Sequence, residues 1–125
     1  MGLKAGGPLF AVRDMERSLA FYRDVLGLEV VNDFGANVVL TGGLSLQTLE
    51  TWVEFLDKLP DDIRFGGNDA EMYYVAEDFD VFLGVLKDHP ETKLVRPPMC
   101  PLPLWPLAFL RRKSASSRRK TGAMC

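Results

Sequence analysis

The chain has few of the residues on which several common scaffolds and active sites depend. Its two cysteines, Cys100 and Cys125, both lie in the C-terminal segment and are too few for a disulfide framework. Its single histidine, His89, argues against a Ser-His-Asp triad or a Cys-His pair. It has no apolar run of about 18 residues, and residues 1–10 lack the long apolar segment typical of a secretory signal. We therefore expect a cytoplasmic protein with no membrane contact.

Acidic side chains are missing from the last quarter of the chain. Residues 1–92 hold 17 Asp/Glu and 7 Lys/Arg, whereas residues 93–125 hold 8 Lys/Arg and no acid. Five prolines between 97 and 106 exclude a central strand there. The basic clusters at 111–113 and 118–120 favour a solvated tail, poorly ordered beyond about residue 110. A nucleic-acid-binding arm is the alternative, but no aromatic residue interleaves the clusters, so nucleic acid is not an expected partner.

Residues 9–27 carry the clearest local signal. The apolar run 9–12 predicts a strand, and Asp14 then suits a helix N-cap. The spacing of the next apolar residues places them on one helical face: Met15, Leu19, Tyr22 and Leu26. Gly27 stands where a glycine ends a helix.

Three strands are predicted after this helix, over 28–32, 37–41 and 44–50. The glycine pair at 42–43 is a tight-turn signal, and such short connections imply an antiparallel meander. Thr51 and Glu54 have capping-box spacing, which predicts a cap at Thr51 and a short helix that follows it to about Lys58. Residues 59–69 are polar and glycine-bearing and predict a loop.

A weaker copy of the strand and helix follows. Residues 71–76 predict a strand, Asp78 an N-cap, and the apolar residues Phe79, Phe82, Leu83 and Leu86 a helix that ends at His89 and Pro90. A shift of 64 residues brings Asp14 onto Asp78. A short strand is expected at 93–96. The repeat suggests two similar modules packed together.

The segment AVRDMERSLAFYRDVLGLEVV resembles the opening of the vicinal oxygen chelate superfamily, which includes glyoxalases, bleomycin- and fosfomycin-resistance proteins and extradiol dioxygenases. The residues that carry the resemblance are Asp14, Ser18, Phe21, Tyr22 and 26–28, then the turn at 42–43 and the segment YYVAEDFDVFLGVL. The resemblance implies an α+β fold of paired βαβββ modules, glyoxalase/bleomycin-resistance-like, with an incomplete second module. It implies a first module at 7–50, a helical linker at 51–69, a partial second module at 70–98 and an atypical tail at 99–125.

The resemblance also implies positions for metal ligands. Metal-dependent relatives hold zinc, nickel, manganese or iron, which polarises neighbouring substrate oxygens. The ligand positions fall here on Gly7, Gln47 and Glu71 and on a final acid that the chain lacks. Glycine has no ligating side chain, so Gln47 and Glu71 form an incomplete candidate set. The implied cofactor is a divalent metal or none. As an alternative, Gln47 and Glu71 are polar residues of the cleft that bind no metal. A further alternative for Glu71 is a side chain that simply faces solvent.

Gln47, Glu71, Tyr73 and Trp52 are the candidate residues of a cleft that binds a small molecule. Only one of Tyr73 and Tyr74 can face such a cleft, because side chains alternate along a strand. His89, at a helix end, is predicted to complement the helix dipole rather than to bind a metal.

Two functions remain open. One is a metal-dependent glyoxalase-like lyase, isomerase or dioxygenase. The other is a non-catalytic protein that sequesters a drug-like molecule, as bleomycin-resistance proteins do.

Missing strands in the second module would leave an open sheet edge, so we expect a homodimer. The abrupt change after residue 97 also suggests a shifted reading frame or a truncation, which the gene sequence would decide.

Overall fold

The structure, a computed structural model, describes residues 2–67 and 69–94. The chain divides into two compact units, Met1–Ile63 and Arg64–Cys125, and each is described by itself. The first unit contains β1 (Leu9–Val12), α1 (Met15–Ala20), β2 (Val30–Asp33), β3 (Asn37–Leu40), β4 (Ser45–Thr48) and α2 (Leu49–Leu56). The described part of the second unit contains α3 (Phe79–Asp88). None of the helices in 2–67 and 69–94 combines the length and apolar character needed to cross a bilayer.

Helix α1 forms as its sequence predicts. Asp14 Oδ1 accepts from the backbone N of Arg17 at 3.0 Å and so caps the helix. Helix α1 continues directly into a π-helical turn at Phe21–Val25. After this turn the backbone N of Leu28 donates to the Tyr22 carbonyl at 2.9 Å. Gly27 has a φ of 71°, which is the left-handed conformation expected where a glycine ends a helix.

The described residues form a four-stranded sheet in the order β1-β4-β3-β2. The predicted meander is confirmed, because β2, β3 and β4 pair antiparallel, and β1 joins β4 as a parallel edge. Helix α1 covers one face of this sheet. The core between them consists of Val12, Tyr22, Val38, Leu40, Leu44 and Leu46, with the predicted helix face packed against it.

The predicted start of the second helix is wrong by three residues, because a cap at Thr51 would make Trp52 the first helical residue. Strand β4 ends at Thr48, which has extended backbone angles, and α2 begins directly at Leu49. Thr51 therefore lies inside the helix instead of before it. The capping-box pattern misled the prediction because the Thr51 side chain is used differently, in the hydrogen bonds described below.

The second unit confirms the helix of the repeat but not its strand. Asp78 Oδ1 accepts from the backbone N of Val81 at 3.0 Å, which matches the cap at Asp14. The strand predicted at 71–76 is wrong for the described residues, where Tyr74 alone forms an isolated bridge. A strand requires backbone hydrogen bonds to a neighbouring strand along its length. An apolar pattern in the sequence does not show whether such a neighbour exists. Residues 93 and 94 have no regular structure, and the expectations for the tail at 99–125 lie outside the described residues.

Candidate functional site

Gln47 lies on β4, on the face opposite Leu46 and therefore opposite the core. It is buried, with 4% of its surface exposed. Asn37, directly across from it on β3, donates its Nδ2 to Gln47 Oε1 at 2.7 Å. Gln47 Nε2 in turn donates to the hydroxyl of Thr51 on α2. Both ends of the amide are thus hydrogen-bonded, as a buried amide requires.

Two threonines complete this polar group. Thr48 Oγ1 lies 2.8 Å from Thr51 Oγ1, and Thr51 Oγ1 donates to the Thr48 carbonyl at 3.1 Å. We call Asn37, Gln47, Thr48 and Thr51 the polar cluster. Its hydrogen bonds connect β3, β4 and the first turns of α2, so it fixes the direction in which α2 leaves the sheet. Removing one partner of such a buried group costs about 1–3 kcal/mol.

Gly7 lies where the resemblance places a first-strand ligand, and its backbone leaves no room for a side chain. Its φ is +88°, and a Cβ built there would lie 2.1 Å from the carbonyl oxygen of Gly43. The parallel register pairs Leu9 with Ser45, and the Pro8 carbonyl accepts from the backbone N of Ser45 at 2.9 Å. Continuing that register by two residues brings Gly7 against Gly43. The close approach therefore follows from the pairing of β1 with β4.

The other candidate residues divide between the two units. Trp52 lies on α2 next to Thr51 and is half-buried, so Gln47 and Trp52 occupy adjoining elements of the first unit. Glu71 is exposed and belongs to the second unit. Tyr73, in the same unit, is 48% exposed, and Tyr74 is half-buried. Whether Glu71 and Tyr73 share a cleft with Gln47 stays a prediction.

His89 lies at the end of α3, as predicted, with its Nδ1 3.0 Å from Glu91 Oε1. A backbone hydrogen bond to the Glu91 carboxylate and then the His89 hydrogen bond lower the pKa of Glu91. Both side chains are within reach of solvent, so this is a surface pair.

The donor set does not fit the divalent metal that the resemblance implies. Position 7 has no side chain and no space for one. Gln47 Oε1 accepts from Asn37 and keeps one further lone pair, so this residue could supply at most one ligand. Within residues 2–67 and 69–94, no group of three or more His, Cys, Asp or Glu lies close enough to hold an ion. A structural or catalytic site normally needs at least three protein ligands.

Sequence reasoning missed Asn37 and Thr51 as partners of Gln47. A signal for Asn37 exists, because a hairpin centred on Gly42 places residue 37 opposite residue 47. Thr51 had no such signal, since its hydrogen bond depends on α2 starting at Leu49.

A sheet in which β1 pairs parallel with the last strand of a β-meander, with one helix between β1 and β2, is a βαβββ module. The model of the glyoxalase-like domain family matches residues 5–101, and the chain belongs to this family, within the vicinal oxygen chelate superfamily. A crystal structure described as a protein of unknown function from Agrobacterium tumefaciens str. C58 has a similar fold, with a TM-score of 0.68 at 24% identity. The similarity covers 99% of this chain and 92% of that one. No curated protein sequence matches the chain.

Proposed function

We propose that this glyoxalase-like protein binds a small organic molecule without the help of a metal ion. In this proposal it is a binding or sequestering protein, and not a metal-dependent lyase, isomerase or dioxygenase. One observation carries the proposal, namely the contact between Gly7 and the Gly43 carbonyl. Lewis-acid chemistry requires a firmly held ion, and this contact removes the position that would supply the first ligand.

The polar cluster supports the same proposal. Gln47 Oε1 accepts from Asn37 and its Nε2 donates to Thr51, so hydrogen bonds to β3 and α2 account for a buried amide at this position without an ion. The position that resembles a ligand is therefore occupied by a residue with a structural role. Binding of an organic ligand places no comparable demand on the chain, because apolar contacts and a few polar groups suffice.

Metal analysis combined with a binding measurement tests the proposal. The purified protein is dialysed against zinc, nickel, manganese and ferrous salts, and bound metal is measured by mass spectrometry. Binding of bleomycin is measured by calorimetry on the same metal-free sample. We expect metal far below one ion per chain and measurable bleomycin binding. One ion per chain that is lost in Glu71→Ala would overturn the proposal, as would the absence of bleomycin binding to the metal-free protein.

We also propose that the protein forms a homodimer, because an incomplete second module would leave a sheet edge to be covered. Light scattering of the full chain measures this directly. A mass equal to one chain of 14.0 kDa would contradict it.

A further inference from the structure

Helix α2 presents an aromatic side chain to solvent immediately beyond the polar cluster. Phe55 is 70% exposed, and its neighbours Leu56 and Leu59 are 48% and 69% exposed, so the apolar surface here is more than a single side chain. It follows Thr51 by four residues and Trp52 by three, so the three side chains are neighbours on one side of α2. Since Thr51 is hydrogen-bonded to Gln47, this side of α2 continues outward from the buried amide. We call Trp52 and Phe55 the aromatic ridge.

The ridge lies in the most acidic part of the first unit. Residues 50–62 contain five acids and one lysine, and all six side chains are exposed: Glu50, Glu54, Asp57, Asp61, Asp62 and Lys58. Leu59, in the same segment, is 69% exposed and adds to the apolar surface. Such a field attracts cations and repels anions at moderate salt.

We infer that the aromatic ridge is the contact surface for a flat, ring-bearing organic cation. A positive charge over the face of Trp or Phe is stabilised by the ring quadrupole, and the surrounding carboxylates add to that attraction. A planar ring system stacks on the same surfaces. This inference rests on the proposed function, to which it adds the chemical class of the ligand.

Ethidium, a planar aromatic cation, is the probe, and its fluorescence reports binding to the full-length protein. The matched variants are Phe55→Ala and Phe34→Ala, because Phe34 is also 70% exposed but lies in the turn between β2 and β3. Neither residue is buried, so both variants should fold. We expect Phe55→Ala to weaken ethidium binding roughly two- to fivefold and Phe34→Ala to leave it unchanged.

Charge is tested separately. The double variant Glu54→Gln with Asp57→Asn, and a rise in salt, should each weaken ethidium binding several-fold because both reduce the acidic field. The anionic ring compound 8-anilinonaphthalene-1-sulfonate should bind the protein more weakly than ethidium. Equal binding of the two dyes would mean that the ridge is merely an apolar patch, and would overturn the inference.

Three further results would also overturn it: equal losses in Phe55→Ala and Phe34→Ala, no ethidium binding at all, or binding that is confined to a peptide. The last result is tested with the peptide LAFLRRK, residues 107–113 of this chain, which carries three cationic side chains where ethidium carries one positive charge. If the peptide binds and ethidium does not, the ridge is a protein-docking surface. The proposed function fails on different measurements, namely metal content and bleomycin binding, so the two failures are distinguishable.

Discussion

Replacing Gly7 by alanine tests the geometry that argues against a metal site. The added Cβ would lie 2.1 Å from the Gly43 carbonyl oxygen, and the backbone would keep a φ of +88° unless it moved. Either the turn that joins β3 to β4 or the start of β1 must shift. Both are held by the hydrogen bond from Ser45 N to the Pro8 carbonyl, at 2.9 Å, and by the paired strands that follow.

Two effects lower the free energy of unfolding of Gly7→Ala, and a third raises it. A left-handed backbone conformation costs a residue with a Cβ about 1–2 kcal/mol. Relief of an overpacked contact costs roughly 1–3 kcal/mol. Alanine recovers about 0.4–1 kcal/mol by reducing the freedom of the unfolded chain. The expected loss of unfolding free energy is therefore about 3 kcal/mol, which lowers Tm by on the order of 10 °C.

Two other glycines separate the contributions. Gly35 has a φ of +78° and an open surrounding, so Gly35→Ala should show the backbone cost alone, about 1 kcal/mol. A Cβ at Gly6 would meet nothing within 4 Å and the residue is not left-handed, so Gly6→Ala should show the gain alone and raise the free energy of unfolding by about 0.4–1 kcal/mol. Urea unfolding followed by circular dichroism gives all three values. If Gly7→Ala costs no more than Gly35→Ala, the contact with Gly43 does not exist and the argument against a ligand at position 7 is refuted.

Three further predictions concern single side chains. Asp14→Ala and Asp78→Ala should each lower the free energy of unfolding by about 1 kcal/mol, because each removes an N-cap hydrogen bond of 3.0 Å. The corresponding asparagine variants should retain most of that stability, since asparagine also caps helices. Equal urea midpoints for the alanine and asparagine variants would contradict this. Asp57→Asn should raise Tm slightly, since Asp57 has a φ of 52° at the C-terminus of α2, where a negative charge is unfavourable; a lower Tm would refute the dipole argument. His89→Ala should raise the pKa of Glu91 toward 4.5 without reaching it, because the backbone hydrogen bond remains, and an NMR titration of the carboxyl carbon measures this. Since the fold lowers that pKa, the stabilising effect of Glu91 is present above pH 4.5 and is lost as the pH falls through the folded-state pKa.

The sequence predicted those parts of the fold that local chemistry determines. Helix α1 could be found because an acid that caps, an apolar face and a terminal glycine all lie within one short segment. The meander could be found because Gly42 and Gly43 mark a turn that both flanking strands need. The cap at Asp78 could be predicted because residues 71–89 repeat the pattern of an apolar run, an acid and an apolar helix face.

What depends on distant pairing could not be predicted. The apolar pattern at 71–76 shows the period of a strand but carries no information about a partner, and the described residues supply only a bridge at Tyr74. The boundary between β4 and α2 depends on hydrogen bonds among Gln47, Thr48 and Thr51, which no linear pattern announces. The aromatic ridge was missed although Trp52 and Phe55 both fall inside the predicted helix, because apolar residues at this spacing usually mark a buried face and the exposure of Phe55 is known only from the structure.

The loss of the first ligand position is a property of the backbone, and this changes how the polar residue at the other position is interpreted. In a parallel pair of strands, residue 7 comes against residue 43 whatever their identities, and here Gly43, with a φ of +82°, directs its carbonyl into the space that a side chain would need. A histidine introduced at position 7 would therefore have to rebuild the turn before it could bind an ion. Gln47, by contrast, remains polar for a reason unrelated to metal, since a buried amide that satisfies Asn37 and Thr51 holds two strands and a helix together. A polar residue at one ligand position of this fold is thus weak evidence of a metal when local hydrogen bonds account for its burial and the position on the neighbouring strand cannot carry a side chain.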